Sequence, residues 1–81
     1  MIALSDLTNR EREIVSMVVQ GKSNKETGDQ LYISEKTIKF HLTSIYRKLG
    51  VTSRAQLIVL VLRDLPTFDE LQGFYNAMAN Q

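Results

Sequence analysis

A helix-start signature recurs along this 81-residue chain and leaves little room for any fold but a helical one. Thr8-Asn9-Arg10-Glu11, Ser23-Asn24-Lys25-Glu26, Ser53-Arg54-Ala55-Gln56 and Thr67-Phe68-Asp69-Glu70 each set a hydroxyl residue three positions before Glu or Gln. In that arrangement the hydroxyl accepts from a backbone N–H of the first turn, and the Glu or Gln returns a bond to the cap residue. Ser34 adds a further N-cap, with Ile33 and Ile38 at the two positions of a hydrophobic staple. Ile14, Val15, Val18 and Val19 follow the first cap at helical spacing, and Leu71, Phe74, Tyr75 and Met78 follow the last. Gly21 and Gly50 are natural left-handed stops, and Leu65-Pro66 breaks the chain. The second helix ends near Leu31 and the fourth near Arg63. No segment alternates with period two. The expected fold is therefore all-α: four helices within residues 4–65 and a fifth in a C-terminal extension, residues 66–81.

Size and composition narrow the function. A chain this short makes one domain whose stability is marginal alone and helped by association. Cysteine is absent, which removes disulfides, thiolate metal sites and a cysteine nucleophile together. With one histidine, no glycine-rich phosphate loop and no metal-ligand cluster, no catalytic constellation is available, and no metal or cofactor is expected. The longest wholly apolar run, Leu57 to Leu62, is far short of a membrane span, and the first residues lack the positive region of a secretory signal.

Net charge is only +1, but it is unevenly placed. Residues 1–33 sum to −1, residues 34–49 to +3 and residues 50–81 to −1. The excess belongs to one helix, beginning at Ser34. At about 100° per residue it separates into two faces. Ile38, Leu42, Ile45 and Leu49 form an apolar stripe, while Lys36, Phe40, Thr43 and Arg47 lie roughly opposite with Lys39 on the flank. Lys48 adds to the positive count. A short helix, the tight turn Tyr32-Ile33 and a longer helix with a cationic outer side make a helix-turn-helix, whose second helix enters the major groove.

Individual residues carry competing readings. Lys39 suits phosphate, or guanine O6 and N7, although a solvated lysine looks the same in sequence. An exposed Phe40 among lysines needs a partner, either a thymine methyl group or a protein surface, unless it folds back onto helix one. Thr43 is short enough to touch a base methyl group or a bridging water. His41 projects near the edge of the apolar stripe, where packing explains it better than ligation. Asn24 and Lys25 sit in the first turn of helix two, where the helix dipole favours a phosphate. Helix four is apolar nearly all round. If Leu57, Ile58, Val61 and Leu62 fill the core, then Val59 and Leu60 face outward beside Gln56 and Arg63. That patch suits a two-fold dimer contact, unless the tail covers it with Leu71, Phe74, Tyr75 and Met78.

Several separate motifs then converge on one family. Leu7-Thr8-Asn9-Arg10-Glu11-Arg12-Glu13, Gly21-Lys22-Ser23-Asn24-Lys25-Glu26, Ile33-Ser34, Thr37-Ile38-Lys39-Phe40-His41 and Lys48-Leu49-Gly50-Val51-Thr52-Ser53-Arg54 resemble the LuxR-type (GerE-type) DNA-binding domain of bacterial transcription regulators. The resemblance runs collinearly over roughly residues 4–65. It implies a four-helix domain with helix three as recognition helix and helix four as dimer contact. It also implies that Lys39, Phe40 and Thr43 face bases. Thr8, Asn24, Lys25, Ser34, Lys36, Thr37, Arg47 and Arg54 match positions near the sugar-phosphate backbone.

Two departures stand out. Family members usually place an aliphatic residue and then alanine after the Lys-Glu of helix two, where this chain has Thr27 and Gly28. Glycine inside a helix costs roughly 1 kcal/mol relative to alanine, so either helix two packs unusually close at Gly28 or it is loose. The tail from residue 67 onward is the second departure.

The function expected is a dimeric, sequence-specific DNA-binding transcription regulator in a bacterial cytoplasm, associated with the nucleoid when bound. Its partners would be double-stranded DNA, a second copy of the chain, and RNA polymerase or a partner regulator. The competing expectation keeps the fold but makes it a protein-interaction module, holding a partner regulator through the Phe40 face or the tail.

Overall fold

Helices begin where the caps set them. The computed structural model describes residues 6–64, which form α1 (Asn9–Val19), α2 (Asn24–Leu31), α3 (Glu35–Leu49) and α4 (Arg54–Asp64), with no strand among the described residues. The expected fifth helix, within residues 67–81, lies outside the described residues.

The Thr8 and Ser23 capping boxes are complete: each hydroxyl accepts from the third helical N–H, and Glu11 and Glu26 accept from the cap N–H in return. Ser34 caps α3 by accepting from the Thr37 N–H at 3.1 Å. The box expected at Ser53 is only half made. Ser53 accepts from Gln56 N–H, but the Gln56 side chain takes the N–H and hydroxyl of Thr52 instead of the Ser53 N–H.

Gly50, at φ +69°, ends α3 in the left-handed region where L side chains are strained. Tyr32 ends α2 in the same region at φ 59° without glycine's freedom, its side chain 96% exposed.

One core unites the elements. Ile38, Leu42, Ile45 and Leu49, the expected stripe of α3, are its four buried residues. They meet Leu7, Ile14, Val15, Met17 and Val18 from the N-terminal side, Leu31 from α2, and Leu57 and Val61 from α4. Thr27 and Gly28 serve this packing. Thr27 is buried, and its hydroxyl donates to the Ser23 carbonyl at 2.8 Å, so the polar group that replaces the usual aliphatic side chain is satisfied. A Cβ at Gly28 would collide with the carbonyl oxygen of Ile33. The close-packed alternative is therefore the one observed, with α2 seated directly on the turn that launches α3. Ile33 N–H reinforces the seat by donating to the Gly28 carbonyl at 2.9 Å.

The division of α4 differs from the expected one. Leu57 and Val61 are buried and Ile58 packs partly against the core, but Leu62 is 58% exposed rather than internal. Leu60, expected outward, is half-buried against the core instead. With Leu57 and Val61 one turn apart setting the inward direction, position 60 falls about 100° from Val61 on one flank and position 62 on the other. Position 62 is the flank left open. The outward apolar pair is thus Val59 and Leu62.

Candidate nucleic-acid interface

The four buried aliphatic residues of α3 hold it from behind and turn the opposite side to solvent. Lys36, Lys39, Phe40, Thr43 and Arg47 are all exposed there. Phe40 is 68% exposed, so it does not fold back onto α1. Lys36, Lys39 and Arg47 form no ion pair among the described residues. Three cations and an aromatic ring therefore share one exposed side of the helix. At the start of the helix, Ser34 and Thr37 are also exposed, and their hydroxyls bond each other at 2.9 Å. Thr43 donates its hydroxyl proton to the Lys39 carbonyl at 3.0 Å.

Lys48 leaves this group. Its position falls about 120° round the helix from Lys36, and its Nζ reaches Glu11 Oε1 at 2.8 Å. Glu11 is only 4% exposed, and it also accepts from the Thr8 N–H at 2.9 Å and from Ser44 Oγ at 3.4 Å. Burial pushes the Glu11 carboxyl up, but the bonds from Lys48 and Thr8 outweigh it and hold the group below its ordinary value. One carboxylate thus closes the cap of α1 and ties that cap to the last turn of α3. Sequence reasoning assigned Glu11 only the first task. The helical position of Lys48 was the available signal for the second.

The other residues expected near the backbone lie outside α3. Arg54, at the start of α4, donates to Asn24 Oδ1 at 3.0 Å and to the Lys22 carbonyl. The two residues are therefore brought together, and both are half-buried. Arg54 locks α4 to the loop that precedes α2, and Asn24 commits its carbonyl oxygen to the same lock. Lys25 is exposed and meets Asp29 at 3.5 Å, a surface pair that leaves the ammonium largely hydrated. Thr8 is exposed but uses its oxygen for the cap of α1. Of the expected dimer residues, Gln56, Val59 and Arg63 are exposed and Leu60 is half-buried.

Among the described residues, no group of His, Asp and Glu is placed to hold a metal ion, and no helix is long and apolar enough to cross a membrane. What the surface offers is positive charge, hydroxyl groups and one apolar ring on a rigid helix. That combination matches a polyanion whose interior edges carry sequence.

Comparison with known proteins leads to the same place. Residues 5–61 match the family described as bacterial regulatory proteins, luxR family. The spore germination protein GerE of Bacillus subtilis is 47% identical over 57 residues, covering 70% of this chain and 77% of that protein. The transcriptional regulatory protein LiaR of Bacillus subtilis is 47% identical over 58 residues, which are 72% of this chain but only 28% of LiaR. The solved structure of the transcription factor GerE superimposes with a TM-score of 0.65 at 47% identity, covering 70% of this chain and 85% of that one.

Proposed function

The chain belongs to the luxR family of bacterial regulatory proteins, and from that premise we propose that it is a sequence-specific DNA-binding transcription regulator acting as a dimer. Residues 4–65 form the DNA-binding unit, and α3 enters the major groove. Lys36 and Arg47 neutralise phosphates, joined by Lys25, Ser34, Thr37 and Thr8, while Lys39, Phe40 and Thr43 meet base edges. The observation that supports this best is the outer side of α3. Its three cations have no carboxylate partner among the described residues and surround a ring that is 68% exposed.

Arg54 and Asn24 contribute differently from the other backbone-facing residues. Their mutual bond fixes the start of α2, and the guanidinium has further N–H groups to offer a phosphate. For the dimer, Val59 and Leu62 supply the apolar centre of a two-fold contact on α4, with Gln56 and Arg63 at its edge. The two copies of α3 then meet half-sites about one helical turn apart.

Selection of bound duplexes from random DNA by the whole chain tests both parts. The expected product is a near-palindromic site with two half-sites in helical phase. Failure to enrich any sequence, with the chain folded, would count against base reading. Enrichment of a single unrepeated half-site would count against the dimer.

A further inference from the structure

The middle of the exposed side of α3 is chemically unlike its ends. Lys36 and Arg47 bracket it, eleven residues apart and therefore about 16 Å apart along the axis. That span exceeds the roughly 12 Å width of the major groove. The two cations are thus spaced to address the phosphate walls while the centre of the helix lies against base edges. Phe40 and Thr43 occupy that centre, one turn apart on the same side.

Neither residue offers the groove a hydrogen-bond donor. Phe40 has no hydrogen-bonding group and exposes 68% of its surface. Thr43 has directed its only side-chain proton to the Lys39 carbonyl at 3.0 Å. What it can still present is its methyl group and an oxygen lone pair. Of the four base-pair orientations, only those containing thymine place an apolar group, the C5 methyl, in the major groove. An apolar ring beside a threonine methyl group is complementary to that feature, and the lone pair left on Thr43 can meet only a base donor, adenine N6 or cytosine N4. Lys39, on the flank, supplies the polar counterpart for guanine O6 and N7.

We propose that Phe40 and the methyl group of Thr43 form an apolar reader of C5-methyl groups. The preferred half-site then carries thymine at the two bases they meet, and 5-methylcytosine is accepted there more readily than cytosine. This deepens the DNA-reading assignment above and rests on it.

The test starts from the duplex that the whole chain selects from random DNA. Each thymine is replaced singly by deoxyuridine, which deletes the methyl group and leaves base pairing intact, and affinity is read by fluorescence anisotropy. Loss of one buried methyl group is expected to weaken binding about fourfold at each of two positions in a half-site. Phe40→Ala should abolish the sensitivity at one of them and Thr43→Ser at the other, while Thr43→Val retains it. Placing 5-methylcytosine rather than cytosine at those positions should restore part of the affinity. Indifference to deoxyuridine at every thymine would overturn the proposal. So would an undiminished deoxyuridine penalty in both Phe40→Ala and Thr43→Ser. If Thr43→Ser keeps the sensitivity and Thr43→Val loses it, Thr43 reads through its oxygen and its part of the proposal falls. A chain that is folded by circular dichroism yet selects no sequence would instead remove the DNA-reading premise, an outcome distinct from all of these.

Discussion

The two sides of α3 handle positive charge in opposite ways. On the inner flank Lys48 is held 2.8 Å from a carboxylate that is itself buried, so its charge is consumed in joining α3 to the cap of α1. On the outer side Lys36, Lys39 and Arg47 have no such partner among the described residues. The same helix therefore contains a structural cation and three available ones. Counting basic residues along a helix overstates what a polyanion can meet, because direction decides which charges are free. The comparison also separates the consequences of mutation. Changes behind α3 should alter stability, and changes in front should alter binding alone.

The largest effect is expected at the back. Ile45 is fully buried, and Ile45→Ala should cost about 2–5 kcal/mol in denaturant unfolding, through lost burial and the cavity left behind. Gly28→Ala tests the seat beneath the turn. Helix propensity alone would favour alanine by about 1 kcal/mol, but the added carbon meets the Ile33 carbonyl, a backbone atom with little room to move. Overpacking of that kind typically costs about 1–3 kcal/mol, so net destabilisation is expected, and a rise in unfolding midpoint would show that the seat yields freely.

Glu11→Gln probes the link between cap and helix and should cost about 1–3 kcal/mol near neutral pH, because hydrogen bonds to a charged group are replaced by weaker ones. Its pH signature has a definite sign. The Glu11 carboxyl is held below 4.5 in the folded chain, so its contribution is complete above the unfolded value and is lost as pH falls through the lower folded one. Thermal midpoints of the parent and of Glu11→Gln should therefore converge on acidification below about pH 4.5. The cap carboxylate Glu26 is shifted the same way, chiefly by its bonds with Ser23, and it remains in both proteins, so their difference isolates Glu11. Parallel curves would dissociate Glu11 from the acid response.

The smallest effect on stability belongs to the front. Lys36→Ala should leave unfolding unchanged within about 0.5 kcal/mol, yet weaken binding to all duplexes and lower the salt slope by about one unit per bound subunit. An unchanged slope would remove Lys36 from the phosphate contacts.

Much of this architecture was legible because caps and stripes are local. Thr8, Ser23, Ser34 and Gly50 act within a few residues of themselves, and the i, i+4 spacing from Ile38 to Leu42 needs no knowledge of the rest of the chain. The features that escaped are contacts between segments distant in sequence. Glu11 meets Lys48 across 37 positions, and Arg54 meets Asn24 across 30. Helical position shows that Lys48 leaves the outer side, but no local pattern names the distant partner in either case. The sides of α4 were misassigned at positions 60 and 62 for a related reason. A helix apolar all round carries no internal mark of which flank its neighbours cover. Gly28 was visible as an anomaly, but which of its two explanations held depended on where the Ile33 carbonyl lies. The exposed set Lys36, Lys39, Phe40, Thr43 and Arg47 was legible in full, since opposition to a buried stripe on one helix is geometry that sequence spacing contains.

The central claim is that the front of α3 supplies the charge that holds a duplex. Salt-dependent binding of the whole chain to its selected site, measured beside the triple variant Lys36→Ala, Lys39→Ala, Arg47→Ala, tests it most directly. The account predicts a salt slope smaller by about two units per subunit, through Lys36 and Arg47, with sequence preference lost through Lys39 and the thermal midpoint preserved. Equal affinity and equal slope for the two proteins would contradict it.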